Sequence, residues 1–181
     1  MLVLASQSPR RSEILRQAGI PFVVRAASVD ESPLPGETPP DYVRRLAEMK
    51  ALAVEAPPEQ TVLGADTTVV AAGKMLGKPV DAAEAKSMLR VLSGARHEVL
   101  TGICLKKGPA RVRDYTVTEV WFASMTESEI EEYVASGEPM DKAGAYGIQG
   151  LASKFIERIN GCYFNVAGLP VALVYRHLRG G

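Results

Sequence analysis

The stretch LVLASQSPRR, residues 2–11, passes from an apolar run through a short polar loop to a helix start. Leu2 to Ala5 has the length and composition of a buried strand. Ser8 is a favoured N-cap residue, and Pro9 is favoured at the first position of a helix. The stretch therefore predicts a strand–loop–helix unit in which the helix begins close to the end of the strand.

The same unit predicts a binding site for an anion. A helix N-terminus attracts negative charge through its unpaired N–H groups and its dipole, and the hydroxyls of Ser6 and Ser8 lie beside it. Arg10 and Arg11 oppose that dipole, so two together call for a compensating partner. Because a guanidinium offers a planar pair of donors suited to phosphate, we favour phosphate binding. Arginines that are merely solvated are the alternative.

Strand and helix patterns alternate irregularly along the rest of the chain. The mixture predicts an α/β fold with a mixed sheet rather than a strictly doubly wound one. A length of 181 residues fits one domain, or one compact body with two lobes. Helices are predicted near 9–18, 40–54, 81–93, 126–135 and 170–179, and strands near 22–26, 61–73, 96–106, 111–124 and 155–159.

Composition excludes several classes of partner. Lys and Arg together number 21, as do Asp and Glu, so no overall field favours nucleic acid or an anionic membrane. Cys104 and Cys162 are too few and too far apart for a zinc motif or a disulfide framework. No leader pattern and no apolar run of ~18 residues is present, so we expect a cytoplasmic protein that does not span a membrane.

Lys50 lies on the apolar side of a predicted helix. It follows Val43 and Leu46 by seven and four residues, which puts it on their stripe. The side chain either extends along the edge of the stripe into solvent or faces a cleft that holds phosphate. The spacing leaves both readings open.

Asp66 interrupts the apolar, β-branched stretch TVLGADTTVVAAG, residues 61–73. Aspartate is a poor strand former, and a charge at the end of a buried strand is unfavourable unless it is paired or bound to metal. We therefore interpret Asp66 as catalytic. The alternative is a strand-end residue that caps a turn.

Further charged residues stand in predicted loops. Asp30 and Glu31 follow an apolar run, Asp141 and Lys142 enter a glycine-rich segment, and Lys78 precedes a proline. Carboxylate oxygens suit magnesium shared with substrate phosphates. The chain lacks the GxxxxGK[ST] loop of P-loop nucleotide hydrolases. These features fit metal-assisted attack of water on a phosphoanhydride.

Several motifs resemble the Maf family of nucleotide pyrophosphatases, in order along nearly the whole chain. They are SQSPRR (6–11), LGADT (63–67), LGKP (76–79), LSGARHEVLTG (92–102), YVASGEPMDKAGAYGIQG (133–150) and GLP (168–170). The resemblance implies a single Maf-like domain over residues 1–181, with an elongated mixed β-sheet, flanking helices and a central cleft, similar to the inosine triphosphate pyrophosphatases. It also implies hydrolysis of nucleoside triphosphates to monophosphate and pyrophosphate with a divalent cation, Mg²⁺ or Mn²⁺.

The resemblance carries roles onto individual residues. It implies Asp66 as general base, with Glu31 and Asp66 as metal ligands. The implied catalytic residues are Asp66, Glu31, Lys50 and Lys78, and the implied substrate-binding residues are Ser6, Ser8, Arg10, Arg11, Thr67 and Gln149.

Three positions bear on substrate choice within the resemblance. Arg11, Thr67 and Gln149 resemble the subgroup that prefers dTTP, UTP and some modified pyrimidine nucleotides. The Gln149 amide has a donor and an acceptor with which to pair a pyrimidine edge. Two alternatives remain: a 7-methyl-GTP pyrophosphatase, and a nucleotide-responsive regulator of cell division or septum formation. A homodimer is compatible with the resemblance.

Overall fold

The computed structural model describes residues 1–26 and 28–180, in a mixed α/β arrangement. In chain order the elements are β1 (Leu2–Leu4), α1 (Pro9–Gln17), β2 (Phe22–Val24), α2 (Pro39–Leu52), β3 (Thr61–Ala71), β4 (Lys74–Leu76), α3 (Ala82–Leu92), β5 (Arg96–Lys107), β6 (Ala110–Phe122), α4 (Glu127–Ala135), β7 (Ile156–Asn160), α5 (Tyr163–Val166) and α6 (Val171–Leu178). Short 3₁₀ turns cover Glu138–Asp141, Ala143–Ala145 and Leu151–Phe155.

The strands of the described residues pair in the order β2-β1-β3-β5-β6-β7, with β4 added to β3. Strand β1 runs parallel to both of its neighbours, with Leu2 opposite Phe22 on one side and Thr61 on the other. The pairs β3–β4 and β6–β7 are antiparallel. The sheet is therefore mixed, which confirms the predicted fold class.

The chain divides into two compact units. The first contains residues 1–67, 101–116 and the segment from 168 onward; the second contains Thr68–Leu100 and Val117–Ala167. In the first unit, helix α2 packs on the sheet around Val3, Ala47 and Val62. In the second unit, a separate core forms around residues such as Leu89 and Phe122.

Side-chain caps start the helices where the sequence predicts. The Ser8 hydroxyl accepts from the Arg11 N–H at the start of α1, and Asp81 caps α3 in the same way. Thr126 and Glu129 form a capping box at the start of α4, where the sequence predicts a helix. Each cap satisfies an N–H that the first helical turn leaves without a partner, so these starts can be read from local sequence.

Several predicted elements differ from the structure in their boundaries or extent. Strand β3 ends at Ala71 rather than at residue 73, because Ala72 and Gly73 adopt positive φ angles of 48° and 73° in the turn to β4. Helix α2 ends at Leu52 rather than at residue 54. The helical turn α5 lies between the strand predicted near 155–159 and the helix predicted near 170–179, where no helix was predicted.

Two glycines allow α2 to approach the sheet very closely. A Cβ at Gly64 in β3 would lie 2.0 Å from the carbonyl oxygen of Ala47, and a Cβ at Gly102 in β5 would lie 2.3 Å from that of Val43. Both distances are far below van der Waals contact, so only glycine fits at either position. Backbone contact with the sheet thus fixes the helix that carries Lys50.

None of the helices in the described part of the chain is long and apolar enough to cross a membrane.

Candidate active site

Three charged side chains of the first unit form a compact cluster. The Lys50 Nζ lies 2.6 Å from Asp66 Oδ1 and 2.7 Å from Glu31 Oε1. The Lys50 and Asp66 side chains are only 10% and 9% exposed, whereas that of Glu31 is 44% exposed. One ammonium group therefore bridges a buried carboxylate and a partly solvated one.

The backbone explains why Lys50 meets Asp66. Gly64 and Asp66 are two residues apart on β3, so their side-chain positions point to the same face of the sheet. Gly64 contacts α2 on that face, and Lys50 continues the buried stripe of α2 after Leu46. The predicted stripe is confirmed. The Lys50 ammonium is buried on a carboxylate and does not extend into solvent.

The alternative, in which Asp66 is a strand-end residue that caps a turn, is wrong. Strand β3 continues through it to Ala71, because Thr67 to Val70 are β-branched and keep the backbone extended. The charge stands in the middle of the sheet. Lys50 offsets the unfavourable free energy of burying the Asp66 charge there. The prediction that this charge is paired is therefore confirmed.

Burial raises the pKa of the Asp66 carboxyl above its ordinary value. The cations Lys50 and Arg11 oppose that rise, and Lys50 also donates a hydrogen bond to the carboxylate. Glu31 adds to the rise by repulsion. A carboxylate with a raised pKa is a stronger proton acceptor when it is ionised, which suits a general base.

A loop that is fastened to α2 carries Glu31. The Tyr42 hydroxyl donates to the Glu31 carbonyl oxygen at 2.9 Å, and Arg45 donates to the Ser32 carbonyl oxygen at 3.1 Å. Arg45 also pairs with Glu37 at 2.6 Å. These contacts from one helix hold the acidic loop beside the lysine of the same helix.

Arg11 is buried and donates to three parts of the first unit. Its Nε donates to the Gly168 carbonyl oxygen at 2.8 Å, its Nη1 to Ser6 Oγ at 3.1 Å, and its Nη2 to Thr67 Oγ1 at 3.2 Å. Thr67 Oγ1 in turn lies 2.9 Å from Thr101 Oγ1. The guanidinium of Arg11 is thus the centre of a polar network. Its three acceptors offset the unfavourable position of a buried cation in the first turn of α1.

The start of α1 is organised around hydroxyl oxygens. Ser6 Oγ accepts from the Ser8 N–H at 3.2 Å as well as from Arg11, and Ser8 Oγ caps the helix. Arg10 is half-buried beside Arg11. The structure therefore brings together the predicted residues Ser6, Ser8, Arg10, Arg11 and Thr67, next to the cluster of Asp66.

Two predicted residues belong to the second unit. Lys78 is exposed just after β4, and Gln149 is exposed in a turn after the second 3₁₀ segment. Asp141 of the same unit accepts from the neighbouring Lys142 Nζ at 2.7 Å.

The carboxylates suit a metal that arrives with phosphate oxygens. In residues 1–26 and 28–180, no group of three or more His, Cys, Asp or Glu side chains could hold a metal ion. Asp66 and Glu31 nevertheless converge on one point, since both contact the Lys50 Nζ. Magnesium is usually held by one or two carboxylates together with substrate phosphates. Asp66 and Glu31 are therefore the residues that would hold such a metal together with the substrate phosphates.

The sequence missed three contributors to the site. Thr101 joins the Arg11 network from β5, the strand next to β3 in the sheet. Gly168 contributes only its carbonyl oxygen, and Tyr42 orients the Glu31 loop. A threonine within the apolar run of β5 was a signal for Thr101. A backbone carbonyl leaves no signature in the side-chain pattern.

Comparison with known proteins gives close relatives over the full chain. The chain is 53% identical to the dTTP/UTP pyrophosphatase of Anaeromyxobacter dehalogenans (strain 2CP-C), over 98% of this chain and 92% of the relative. It is 50% identical to the protein of the same name from Geobacter sulfurreducens, over 98% of this chain and 95% of the relative.

Solved structures share the fold at low sequence identity. The Staphylococcus aureus Ham1 protein matches with a TM-score of 0.55 and 14% identity, covering 99% of this chain and 98% of that one. A HAM1 protein from Coxiella burnetii matches with a TM-score of 0.53 and 18% identity, with the same coverage. The expected likeness to inosine-triphosphate-pyrophosphatase-like folds is confirmed.

The family model described as Maf-like protein matches residues 1–180, which confirms the resemblance seen in the motifs. Together with relatives at about half identity over nearly the whole chain, this match establishes that the chain belongs to the Maf family.

Proposed function

We propose that this protein hydrolyses dTTP, UTP and modified pyrimidine nucleoside triphosphates to the monophosphate and pyrophosphate. Family membership and the name shared by relatives at 50–53% identity support the proposal. The observation that carries it is the buried Asp66 carboxylate, held by Lys50 beside Glu31. A protein that only bound nucleotide would have little need for such a buried base.

Asp66 acts as the general base. Its carboxylate accepts a proton from water as the water oxygen bonds to phosphorus. The α–β anhydride bond breaks, and pyrophosphate leaves with the bonding electrons. Lys50 keeps Asp66 ionised and oriented, because its ammonium opposes the rise in the pKa of the carboxyl that burial causes.

Glu31 and Asp66 would hold a divalent cation, Mg²⁺ or Mn²⁺, together with the triphosphate. Such a cation neutralises charge on the phosphate oxygens and thereby favours the developing negative charge of the leaving group. Their all-oxygen donor set supports a hard cation over a softer metal.

Arg10 and Lys78 bind the phosphates as cations. Arg11 holds Ser6 Oγ and Thr67 Oγ1 in place through its two terminal nitrogens, so its effect on substrate includes the orientation of these hydroxyls. Gln149 pairs with the edge of the pyrimidine, for which its amide supplies a donor and an acceptor.

We further propose that the protein works in the cytoplasm, as a homodimer. Sedimentation of the purified chain measures its mass in solution and so tests the homodimer.

A panel of nucleoside triphosphates with Mg²⁺ or Mn²⁺ tests the activity, with pyrophosphate and orthophosphate measured separately. We expect pyrophosphate from dTTP and UTP, and its loss in Asp66→Asn. Asp114→Asn is the matched control, because the Asp114 carboxylate also pairs with a basic side chain, with Oδ2 lying 2.9 Å from His177 Nε2. Strong turnover of 7-methyl-GTP without turnover of UTP would reject the pyrimidine preference.

A further inference from the structure

Gln149 stands at the tip of a tight turn in the second unit. The Gly150 N–H donates to the Gly147 carbonyl oxygen at 3.2 Å, which closes a four-residue turn with Ile148 and Gln149 at its centre. Ile148 is buried and Gln149 is exposed. The Ile148 side chain therefore anchors the turn in the protein, and the Gln149 side chain faces outward.

Tyr133 and Glu138 hold the backbone on both sides of this turn. The Gly147 N–H donates to the Tyr133 hydroxyl oxygen at 3.3 Å, and the Leu151 N–H donates to Glu138 Oε2 at 3.0 Å. The Tyr133 hydroxyl donates to Glu138 Oε1 at 2.9 Å, which joins the two contacts. We call Tyr133 and Glu138 the turn clamp.

The clamp lies so close to the turn that a side chain at either flanking glycine would displace it or its neighbour. A Cβ at Gly150 would lie 2.3 to 2.5 Å from the Glu138 carboxylate, and a Cβ at Gly147 would lie 2.7 Å from Lys142 Cε. The Lys142 Nζ donates to the Glu138 carbonyl oxygen at 2.7 Å, which holds the lysine in that position. The glycines on either side of Gln149 are thus explained by contact with the clamp and its neighbour.

Tyr133 is itself immobilised. Its side chain is buried on α4, and its ring packs edge-on against that of Phe155, with centroids 6.3 Å apart. Burial raises the pKa of the Tyr133 hydroxyl, so it stays protonated and remains a donor to Glu138. A rigid tyrosine that donates one bond and accepts another ties the turn to the core of the second unit.

We propose that Tyr133 and Glu138 are positioning residues that hold Gln149 at the pyrimidine edge and thereby set base selectivity. This inference rests on the proposed function, because it assigns the discrimination of the base to the Gln149 turn. Neither clamp residue needs to contact the substrate. Their effect is to limit the conformations of the turn, so that the Gln149 amide is aligned before the nucleotide binds.

The test compares kcat/KM for UTP and CTP, which differ at the pyrimidine edge, in wild type, Tyr133→Phe and Glu138→Gln. Tyr133→Phe keeps the ring and removes both hydroxyl contacts, so we expect KM for UTP to rise about three- to tenfold with kcat nearly unchanged. The UTP/CTP ratio should fall by a similar factor. Glu138→Gln should give a smaller change, because its carbonyl oxygen can still accept from the Leu151 N–H while its amide donates to Tyr133.

Tyr146→Phe is the matched control. It removes another buried tyrosine hydroxyl, from the residue just before Gly147, but that hydroxyl contacts His97 Nε2 at 2.7 Å instead of the turn. We expect its UTP/CTP ratio to equal that of wild type. Amide hydrogen exchange of residues 147–151 should accelerate in Tyr133→Phe and stay slow in Tyr146→Phe.

The outcomes separate the inference from the proposed function. If wild type releases no pyrophosphate from UTP, the proposed function fails and the inference fails with it. If wild type is active and Tyr133→Phe keeps the wild-type ratio, or Tyr146→Phe lowers it equally, the inference alone is wrong. Should Tyr133→Phe not fold, Glu138→Ala decides, because it removes the acceptors of both the Tyr133 hydroxyl and the Leu151 N–H. A wild-type UTP/CTP ratio in that variant overturns the proposal.

Discussion

Lys50→Met leaves the buried Asp66 carboxylate without its ammonium partner. Methionine fills the volume of the lysine stem and keeps the apolar stripe of α2 intact. Because a buried ion pair gives little net stability over an apolar replacement, the loss in the variant is that of the stranded carboxylate. Glu31 contributes less, since its side chain is 44% exposed and can be hydrated.

The size of the loss has an upper bound. The folded variant can avoid a stranded charge by binding a proton at Asp66, whereas the unfolded chain ionises that carboxyl with a pKa of 3.8. At pH 7, about 3.2 pH units higher, this proton is worth about 4.4 kcal/mol at 1.36 kcal/mol per unit. We therefore expect Lys50→Met to lower the free energy of unfolding by about 3–4 kcal/mol at pH 7.

The same argument fixes the sign of the pH dependence. Lys50 lowers the pKa of Asp66, so its removal raises that pKa further. A folded-state pKa above the unfolded one means that stability is lost as pH rises. The deficit of the variant should shrink by about 1.4 kcal/mol for each unit of pH below 7 and fall to about 0.3–1.3 kcal/mol at pH 5.

Urea unfolding at pH 5, 6 and 7 measures this difference. Lys106→Met is the matched control. The Lys106 ammonium donates to a backbone carbonyl oxygen, that of Val54, at 3.3 Å, so its removal does not take the partner from a buried carboxylate. The double variant Lys50→Met/Asp66→Asn should regain most of the stability. A deficit below about 1 kcal/mol that is equal at pH 5 and 7 would refute the reasoning, since the stranded charge would then be absent.

Three further predictions concern stability. Gly64→Ala should lower the free energy of unfolding by more than about 3 kcal/mol, because the added Cβ would lie 2.0 Å from the Ala47 carbonyl oxygen. Gly77→Ala is its control: the added Cβ meets open space, so the free energy of unfolding in the same urea titration should change by less than about 1 kcal/mol. Burial lowers the pKa of His97 from 6.5 to about 4, so wild type should lose up to about 3 kcal/mol as pH falls through that range, and a calorimetric pH series on His97→Phe should lack this loss. Thr126→Ala should lower the thermal midpoint by removing about 1 kcal/mol of capping, and an unchanged midpoint would contradict the capping-box assignment.

Local patterns in the sequence predicted the elements that depend on neighbours along the chain. Ser8 and Pro9 marked the start of α1, and the spacing of Lys50 from Leu46 put it on the buried stripe of α2. Asp66 stood out because a charge in an apolar strand needs a partner. The sequence indicated that the partner of Asp66 should be a cation. It could not identify Lys50 as that partner, because the pairing depends on how α2 packs on β3.

Contacts between distant residues could not be predicted in this way. Arg11 was expected to grip phosphate, yet its Nε bonds to the carbonyl oxygen of Gly168, 157 residues away. Such an acceptor has no side-chain signal, and its position depends on the packing of the whole first unit. The clamp formed by Tyr133 and Glu138 was equally hidden, because a tyrosine on a helix reads as an ordinary core residue.

The glycines beneath α2 have a consequence for how mutational data on this protein should be interpreted. In a saturation library selected for turnover, Gly64 and Gly102 should be as depleted of substitutions as Asp66, although neither contributes a reacting atom. Substitution frequencies from such a library alone would therefore assign Gly64 and Gly102 to the active site, although their role is to leave room for the backbone of α2. Measuring protein abundance alongside turnover would separate the two groups, because substituted glycines would reduce the amount of folded enzyme whereas Asp66→Asn would leave it nearly intact.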